Sequence, residues 1–181
     1  MAINEFKHLR IPLFILLSII TISRSADPDC VYTLYIRTGS VFRAGTDSSI
    51  SLTLYDANGY GMQIDNLVTW GGLMGPDYDY FERRNLDIFS GRGRCLVGPV
   101  CSMNLTSDGS GFNPGWYVNY VEVTTTGVHT ACFQEQFTVE QWLATDVLPF
   151  QLTALVNYCY GENHAVAGKE SKGSSSVVAE I

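Results

Sequence analysis

The segment from residue 26 to residue 160 contains no lysine, and its 6 arginines stand against 14 aspartates and glutamates, for a net charge of −8. Binding of nucleic acid needs a basic surface, so this balance argues against DNA and RNA as partners. It also argues against simple electrostatic docking onto anionic lipid. Approach to a phosphate-rich surface would therefore need a bridging cation.

Histidine is nearly absent from the same segment, where His129 is the only one and lies beside a predicted hairpin turn. A Ser-His-Asp or Cys-His site needs a base held in place by packing, and a turn histidine is more often a surface residue. The sequence also lacks a Gly-x-Ser-x-Gly elbow and a phosphate-loop pattern. We therefore predict that the protein is not an enzyme.

The apolar run Ile11–Ile22 is too short to cross a bilayer of ~30 Å and has the length of a signal-peptide core. Lys7 and Arg10 precede it, and the small residues of "SRSAD" follow it. The alternative is an N-terminal membrane anchor, which Pro12 within the run disfavours. We interpret residues 1–25 as a signal peptide, which predicts a protein of the secretory pathway, in the endoplasmic reticulum or outside the cell.

No two cysteines have the Cys-x2-Cys spacing of a zinc site, so in an oxidising compartment the five cysteines predict disulfides. Cys95 and Cys101 enclose a short loop and are expected to pair locally. Cys30 and Cys159 bracket the domain and are expected to join its first and last strands. Cys132 is then left over, either buried or available for an intermolecular bridge. The sequon Asn104-Leu105-Thr106 predicts N-glycosylation at Asn104, in agreement with a lumenal chain.

Short stretches in which apolar and polar residues alternate recur along the chain, separated by Gly, Asn and Pro. "CVYTLYIRTG" and "SISLTLYDANG" are examples, and about eight such stretches occur without a long amphipathic helix. This pattern predicts an all-β fold, an antiparallel sandwich or barrel, over residues 26–160. The last residues, 161–181, are rich in Gly, Ser and charge, and we expect them to be a disordered tail.

Three loops carry the oxygen-rich residues that calcium prefers: Ala44–Asp47, Tyr55–Gly59 and Thr106–Gly111. Asp, Asn, Gly and Ser also form ordinary turns, so each loop has a purely structural alternative. Two loops that meet at one end of a sandwich would favour a calcium site.

The glycine-rich stretch "TWGGLMGPDYDYF" is expected to follow a short strand as an exposed loop. Trp70, Leu73 and Met74 on such a loop could enter a membrane interface, where Trp is enriched. Alternatively, the loop folds back and Trp70 covers the core.

The ordered set of three motifs, Ala44–Asp56, Tyr80–Phe89 and Gly115–Val123, resembles the PLAT domains of polycystins, lipoxygenases and bacterial alpha-toxins. The similarity covers nearly all of residues 28–160. With the signal peptide, the chain is similar to the small secretory PLAT-only proteins of plants, which are associated with stress responses and lack an attached catalytic domain.

This resemblance implies two packed four-stranded antiparallel sheets whose loops bind calcium and contact lipid. Matched residue by residue, it points to Gly45, Thr46 and Asp47 as calcium ligands, with Asp108 as a further match, and to a structural role for Asp87. We therefore predict a peripheral lipid-binding protein assisted by calcium.

The alternative function is a protein-interaction module that regulates a partner in stress signalling. Its working surface would be a sheet face, with Tyr32, Tyr35 and Arg37 as candidate contact residues.

Overall fold

The computed structural model describes residues 29–128 and 130–159. The predicted signal peptide, the C-terminal tail and His129 lie outside the described residues. The described chain contains eight strands and one short helix, in the order β1 (Asp29–Thr38), β2 (Ile50–Asp56), β3 (Gly61–Ile64), α1 (Leu67–Gly71), β4 (Leu86–Arg94), β5 (Val100–Ser107), β6 (Trp116–Gly127), β7 (Thr130–Leu143) and β8 (Thr153–Asn157).

The strands form two four-stranded antiparallel sheets that pack face to face. Sheet A has the order β4-β1-β6-β7, and sheet B has the order β3-β2-β5-β8. The predicted all-β sandwich is thereby confirmed. The expected short strand before the glycine-rich loop is wrong, because Leu67–Gly71 forms a helical turn whose N-cap, Asn66, accepts a hydrogen bond from the backbone N–H of Thr69.

The core follows directly from the period-2 pattern, because alternate residues of a strand face opposite sides of a sheet. In β1 the buried side chains include Tyr32, Leu34 and Ile36, and in β2 they include Ile50, Leu52 and Leu54. Tyr32 was a candidate for an exposed contact surface, and that expectation is wrong. Its ring is fully buried, its hydroxyl donates to the Arg94 carbonyl at 2.8 Å, and burial raises its pKa.

Two glycines on the inner side of β4 explain how α1 packs. A Cβ at Gly91 would lie 2.5 Å from the indole of Trp70, and one at Gly93 would overlap the sulfur of Met62. The indole N–H of Trp70 donates to the Arg92 carbonyl at 3.4 Å. The Gly-Arg-Gly-Arg stretch is therefore a slot in edge strand β4 that receives Trp70 and Met62.

The turn "DANGYG" between β2 and β3 is held by a buried carboxylate. Asp56 accepts hydrogen bonds from the backbone N–H groups of Asn58 and Tyr60 within the turn, and from those of Val97 and Gly98 in the neighbouring loop. Gly59 has φ +80°, the conformation for which the turn needs glycine. All four donors are backbone groups, so this acidic loop has a structural role.

The disulfides join Cys30 to Cys95 and Cys101 to Cys159, and Cys132 is a free, exposed cysteine. The predicted pairs Cys30–Cys159 and Cys95–Cys101 are wrong, although the prediction that Cys132 is left over is confirmed. The reason is strand order. Cys30 is the second residue of β1 and lies beside the end of β4, because these strands pair antiparallel, and Cys95 follows that end directly. Cys101 is likewise the second residue of β5 and lies beside the end of β8, which Cys159 follows.

No helix among the described residues is long and apolar enough to cross a membrane.

Candidate calcium and lipid-contact site

Four loops meet at one end of the sandwich, which we call the loop end. They comprise residues 39–49, 65–85, 108–115 and 144–152, the second of which includes α1. Each connects strands whose ends are adjacent at this end of the two sheets. Hydrogen bonds join the loops to one another. Asp47 N–H donates to the Asn113 carbonyl at 3.3 Å, and Thr46 N–H donates to the Phe81 carbonyl at 3.3 Å.

Three carboxylates from two of these loops lie together: Asp47, Asp79 and Glu82 each offer an oxygen within 4.8 Å of the others. We call them the acidic triad. Two oxygens bound to one calcium ion at roughly 2.3–2.6 Å are at most about 5 Å apart, so this spacing fits a shared ion. Carboxylates on loops are also the donor type that calcium prefers.

Glycines allow the loops of the triad to approach closely. A Cβ at Gly45 would lie 2.9 Å from a carboxylate oxygen of Glu82 and 3.0 Å from the backbone nitrogen of Arg83. A Cβ at Gly111 would lie 2.8 Å from the Cβ of Asp47. The missing side chain of Gly45 therefore leaves space for the carboxylate of Glu82. This function differs from the role of calcium ligand that the resemblance implies for Gly45.

The loop that carries Asp79 and Glu82 is anchored from below by Asp87. The Asp87 side chain is fully buried, and one of its oxygens accepts the Phe81 N–H at 2.8 Å. Burial raises the pKa of Asp87, and burial together with the negative charge of Asp87 raises the pKa of Tyr78 to about 12. Phe81 has φ 62°, so the Asp87 hydrogen bond stabilises a strained turn directly before Glu82.

The other two predicted ligands have structural hydrogen bonds. Thr46 is buried, and its hydroxyl donates to the Asn113 carbonyl at 2.8 Å and accepts the Ser48 N–H at 3.1 Å. Asp108 accepts the N–H groups of Ser49 and Ser110, and its hydrogen bonds to Ser110 lower its pKa. Among the described residues, Asp108 is not part of the cluster that contains Asp47.

Large apolar side chains extend from the same loop end. Phe112 is 90% exposed, Phe42 is 80% exposed and Leu148 is 72% exposed, and Phe150 and Leu73 are also exposed. Of the two alternatives for Trp70, the structure agrees with the second, because Trp70 is half-buried and packs against the core in the slot of β4. Leu73 is 59% exposed and Met74 is 37% exposed, in agreement with their expected position.

An open cleft of about 260 Å³ lies next to these side chains. Phe42 and Trp142 provide aromatic walls, and Arg43, Asn113 and Asp146 provide polar groups. Asn113 connects the cleft to the triad, because its N–H donates to the Asp47 carboxylate at 3.1 Å. The loop end therefore combines acidic, polar and apolar surface.

Comparison with known proteins identifies the family. The profile of the PLAT/LH2 domain matches residues 32–152. The chain belongs to the PLAT/LH2 family. PLAT domain-containing protein 1 of Arabidopsis thaliana is 59% identical over 155 residues, which are 84% of this chain and 86% of that protein. PLAT domain-containing protein 3 of the same plant is 64% identical over 104 residues, 57% of this chain and 100% of that protein. Both names describe a PLAT domain and not an enzyme.

Solved PLAT-type structures agree with the fold. The crystal structure of coral 8R-lipoxygenase, whose description includes calcium activation via a C2-like domain, matches with a TM-score of 0.54 at 22% identity. The match covers 70% of this chain and 16% of the lipoxygenase. A calcium-dependent 11R-lipoxygenase matches with a TM-score of 0.51 at 22% identity, over 71% of this chain and 17% of that one. At this identity the likeness shows the fold alone.

Sequence reasoning missed Asp79 and Glu82 as partners of Asp47. Asp79 is one of two aspartates that follow Gly75-Pro76 in the sequence, and Glu82 lies inside the motif Tyr80–Phe89. The useful signal was the concentration of three acids within residues 77–82, in a loop that joins two strands at the same end as Asp47.

Proposed function

We propose that this PLAT protein is a non-enzymatic, peripheral membrane-binding protein that uses calcium to attach its loop end to phospholipid. The observation that carries the proposal is the placement of the acidic triad at the same end as Phe112, Phe42 and Leu148. The predicted signal peptide supports action in the secretory pathway, and the resemblance to small plant PLAT proteins supports a role in stress responses.

A bound calcium ion would reduce the electrostatic repulsion between this acidic domain and an anionic membrane. The domain has a net charge of −8 and would be repelled by an anionic membrane. An ion held by Asp47, Asp79 and Glu82 would neutralise part of the loop end and leave coordination positions for lipid phosphate, since calcium takes six to eight oxygens. The calcium activation described for the coral lipoxygenase supports this choice of ion.

Apolar contact would supply the remaining affinity. Burial of a large apolar side chain from water stabilises by roughly 1.5–3 kcal/mol. Phe112 and Leu148 project from different loops, and both are largely exposed. Insertion of such residues would fix the orientation of the domain, with the loop end toward the membrane.

The test is co-sedimentation of the purified mature protein with phosphatidylcholine vesicles containing phosphatidylserine, in about 1 mM calcium or in excess chelator, because loop sites of extracellular modules bind calcium at ~0.1–1 mM. We expect binding in calcium that the chelator abolishes, and loss of binding in Asp79→Asn. Asp77→Asn is the matched control, because Asp77 is exposed in the same loop but does not belong to the triad. Equal binding in calcium and chelator, unaffected by Asp79→Asn, would remove calcium from the proposed mechanism.

A further inference from the structure

Asn104 and Thr106 of the sequon project from the outer face of sheet B. They lie on β5, an inner strand of that sheet, and their neighbours Met103 and Leu105 are buried in the core. Asn104 and Thr106 therefore share the opposite, outer side, where both side chains are half-buried. No other position among the 181 residues has the Asn-x-Ser/Thr pattern.

The amide nitrogen of Asn104 is available for modification. The side-chain carbonyl of Asn104 accepts the Thr106 hydroxyl at 3.4 Å, whereas Asn104 Nδ2 has no hydrogen-bond partner among the described residues. The Nδ2 atoms of Asn66, Asn85 and Asn119 differ, because each donates to a side chain of the protein. A substituent on Asn104 Nδ2 would thus break no hydrogen bond within the described structure.

The surface around Asn104 is suited to a covering sugar. The residues of the outer face of sheet B carry no charge, and the positions facing outward in the register are Ser51, Thr53, Tyr55, Gln63, Ser102, Asn104, Thr106, Thr153, Leu155 and Asn157. Leu155 lies directly across from Asn104 on edge strand β8 and is 69% exposed. An exposed leucine in an otherwise polar sheet face is a group that a pyranose ring, with its apolar C–H surface, can cover while its hydroxyls bond to the serines and threonines.

We propose that Asn104 carries an N-linked glycan whose first sugar packs over Leu155 and covers the outer face of sheet B. In the transfer reaction that attaches the glycan, the sugar C1 of a polyprenyl-diphosphate-linked oligosaccharide forms a bond to Asn104 Nδ2, and the bond between C1 and the diphosphate oxygen breaks. The polyprenyl diphosphate leaves with the bonding electrons, one proton of Nδ2 passes to a base of the transferase, and no atom is oxidised or reduced. The glycan makes this face unavailable for protein partners and leaves the loop end free.

The experiment is expression of the full chain in the secretory pathway of plant leaf cells, with intact mass and peptide mapping of the purified product. We expect a glycan mass that maps to Asn104, that is retained in Thr106→Ser and that is absent from Thr106→Ala, which keeps the asparagine. A product with the mass of the polypeptide alone, or a modification that persists in Thr106→Ala, overturns the proposal.

Two further measurements test the position of the sugar and separate this proposal from membrane binding. Enzymatic removal of the glycan should increase hydrogen–deuterium exchange or dye binding at β8 in the wild type, and this increase should be smaller in Leu155→Ser. If exchange and dye binding at β8 stay unchanged when the glycan is removed, the proposed packing of the sugar over Leu155 is overturned. Thr106→Ala should sediment with calcium and vesicles as the wild type does, because the outer face of sheet B lies away from the triad. Failure of the vesicle assay therefore leaves the glycan result intact.

Discussion

The backbone N–H of Phe81 donates a hydrogen bond of 2.8 Å to the buried carboxylate of Asp87, and the second oxygen of that carboxylate has no partner in the described structure. Asp87 therefore fixes the turn that precedes Glu82, but its negative charge is only partly compensated. A buried carboxylate of this kind favours its protonated form, which agrees with the raised pKa. The ionised carboxylate of Asp87, which holds the acidic loop, therefore lowers the stability of the folded domain at neutral pH.

Replacement Asp87→Asn should change how stability depends on pH. The pKa of Asp87 is higher in the folded than in the unfolded chain, so its ionisation destabilises the folded state as the pH rises from the unfolded pKa through the folded pKa. The asparagine keeps an acceptor for the Phe81 N–H and has no such dependence. The free energy of unfolding of the variant relative to wild type, from urea titrations between mildly acidic and neutral pH, should increase with pH. A constant difference would contradict the assignment, and Asp77→Asn is the control.

Removal of either disulfide should destabilise the domain strongly. The bonds close segments with sequence separations of 65 and 58 residues, and loops of this length predict about 4 kcal/mol of stabilisation each. We expect Cys101→Ser with Cys159→Ser to lower the free energy of unfolding in urea by several kcal/mol, whereas Cys132→Ser should leave it nearly unchanged. Peptide mapping that linked Cys132 to another cysteine would refute the pairing.

Substitution Gly91→Ala should displace Trp70 from the slot in β4. The new Cβ would lie 2.5 Å from the indole, and overpacking of this kind typically costs 1–3 kcal/mol. We expect a lower melting temperature and a red shift of tryptophan fluorescence. Gly115→Ala is the control, since its Cβ would meet its nearest neighbour at an ordinary 3.5 Å. Similar behaviour of both variants would argue against the slot.

Phe112→Ser should weaken attachment to vesicles without changing stability. Phe112 is 90% exposed at the loop end, so it contributes little to the core but is free to enter lipid. Val97→Ser is a matched control, because Val97 is 75% exposed in the loop between β4 and β5 at the other end of the sandwich. Vesicle affinity that falls equally in both variants would contradict the orientation we propose.

The alternation of residues such as Tyr32, Leu34 and Ile36 was sufficient to predict the sandwich, because period 2 determines which side chains are buried in a sheet. It could not predict which strands are neighbours, and Cys30 pairs with Cys95 because β1 and β4 are neighbours. The triad was missed in part for a similar reason. Asp47 and Glu82 are brought together by the folded path of a loop and by Gly45, and no periodicity records such a path.

Both disulfides lie at the pole of the sandwich opposite the loop end, and the described chain also begins and finishes there, at Asp29 and Cys159. The domain is thus covalently closed at one pole and held by hydrogen bonds at the other. If calcium binds the acidic triad as we propose, a reductant and a chelator would act on opposite poles of the domain. A reporter fused beyond Cys159 would stand clear of a membrane-bound surface, and the loops offer positions for grafting that leave the cross-linked pole intact.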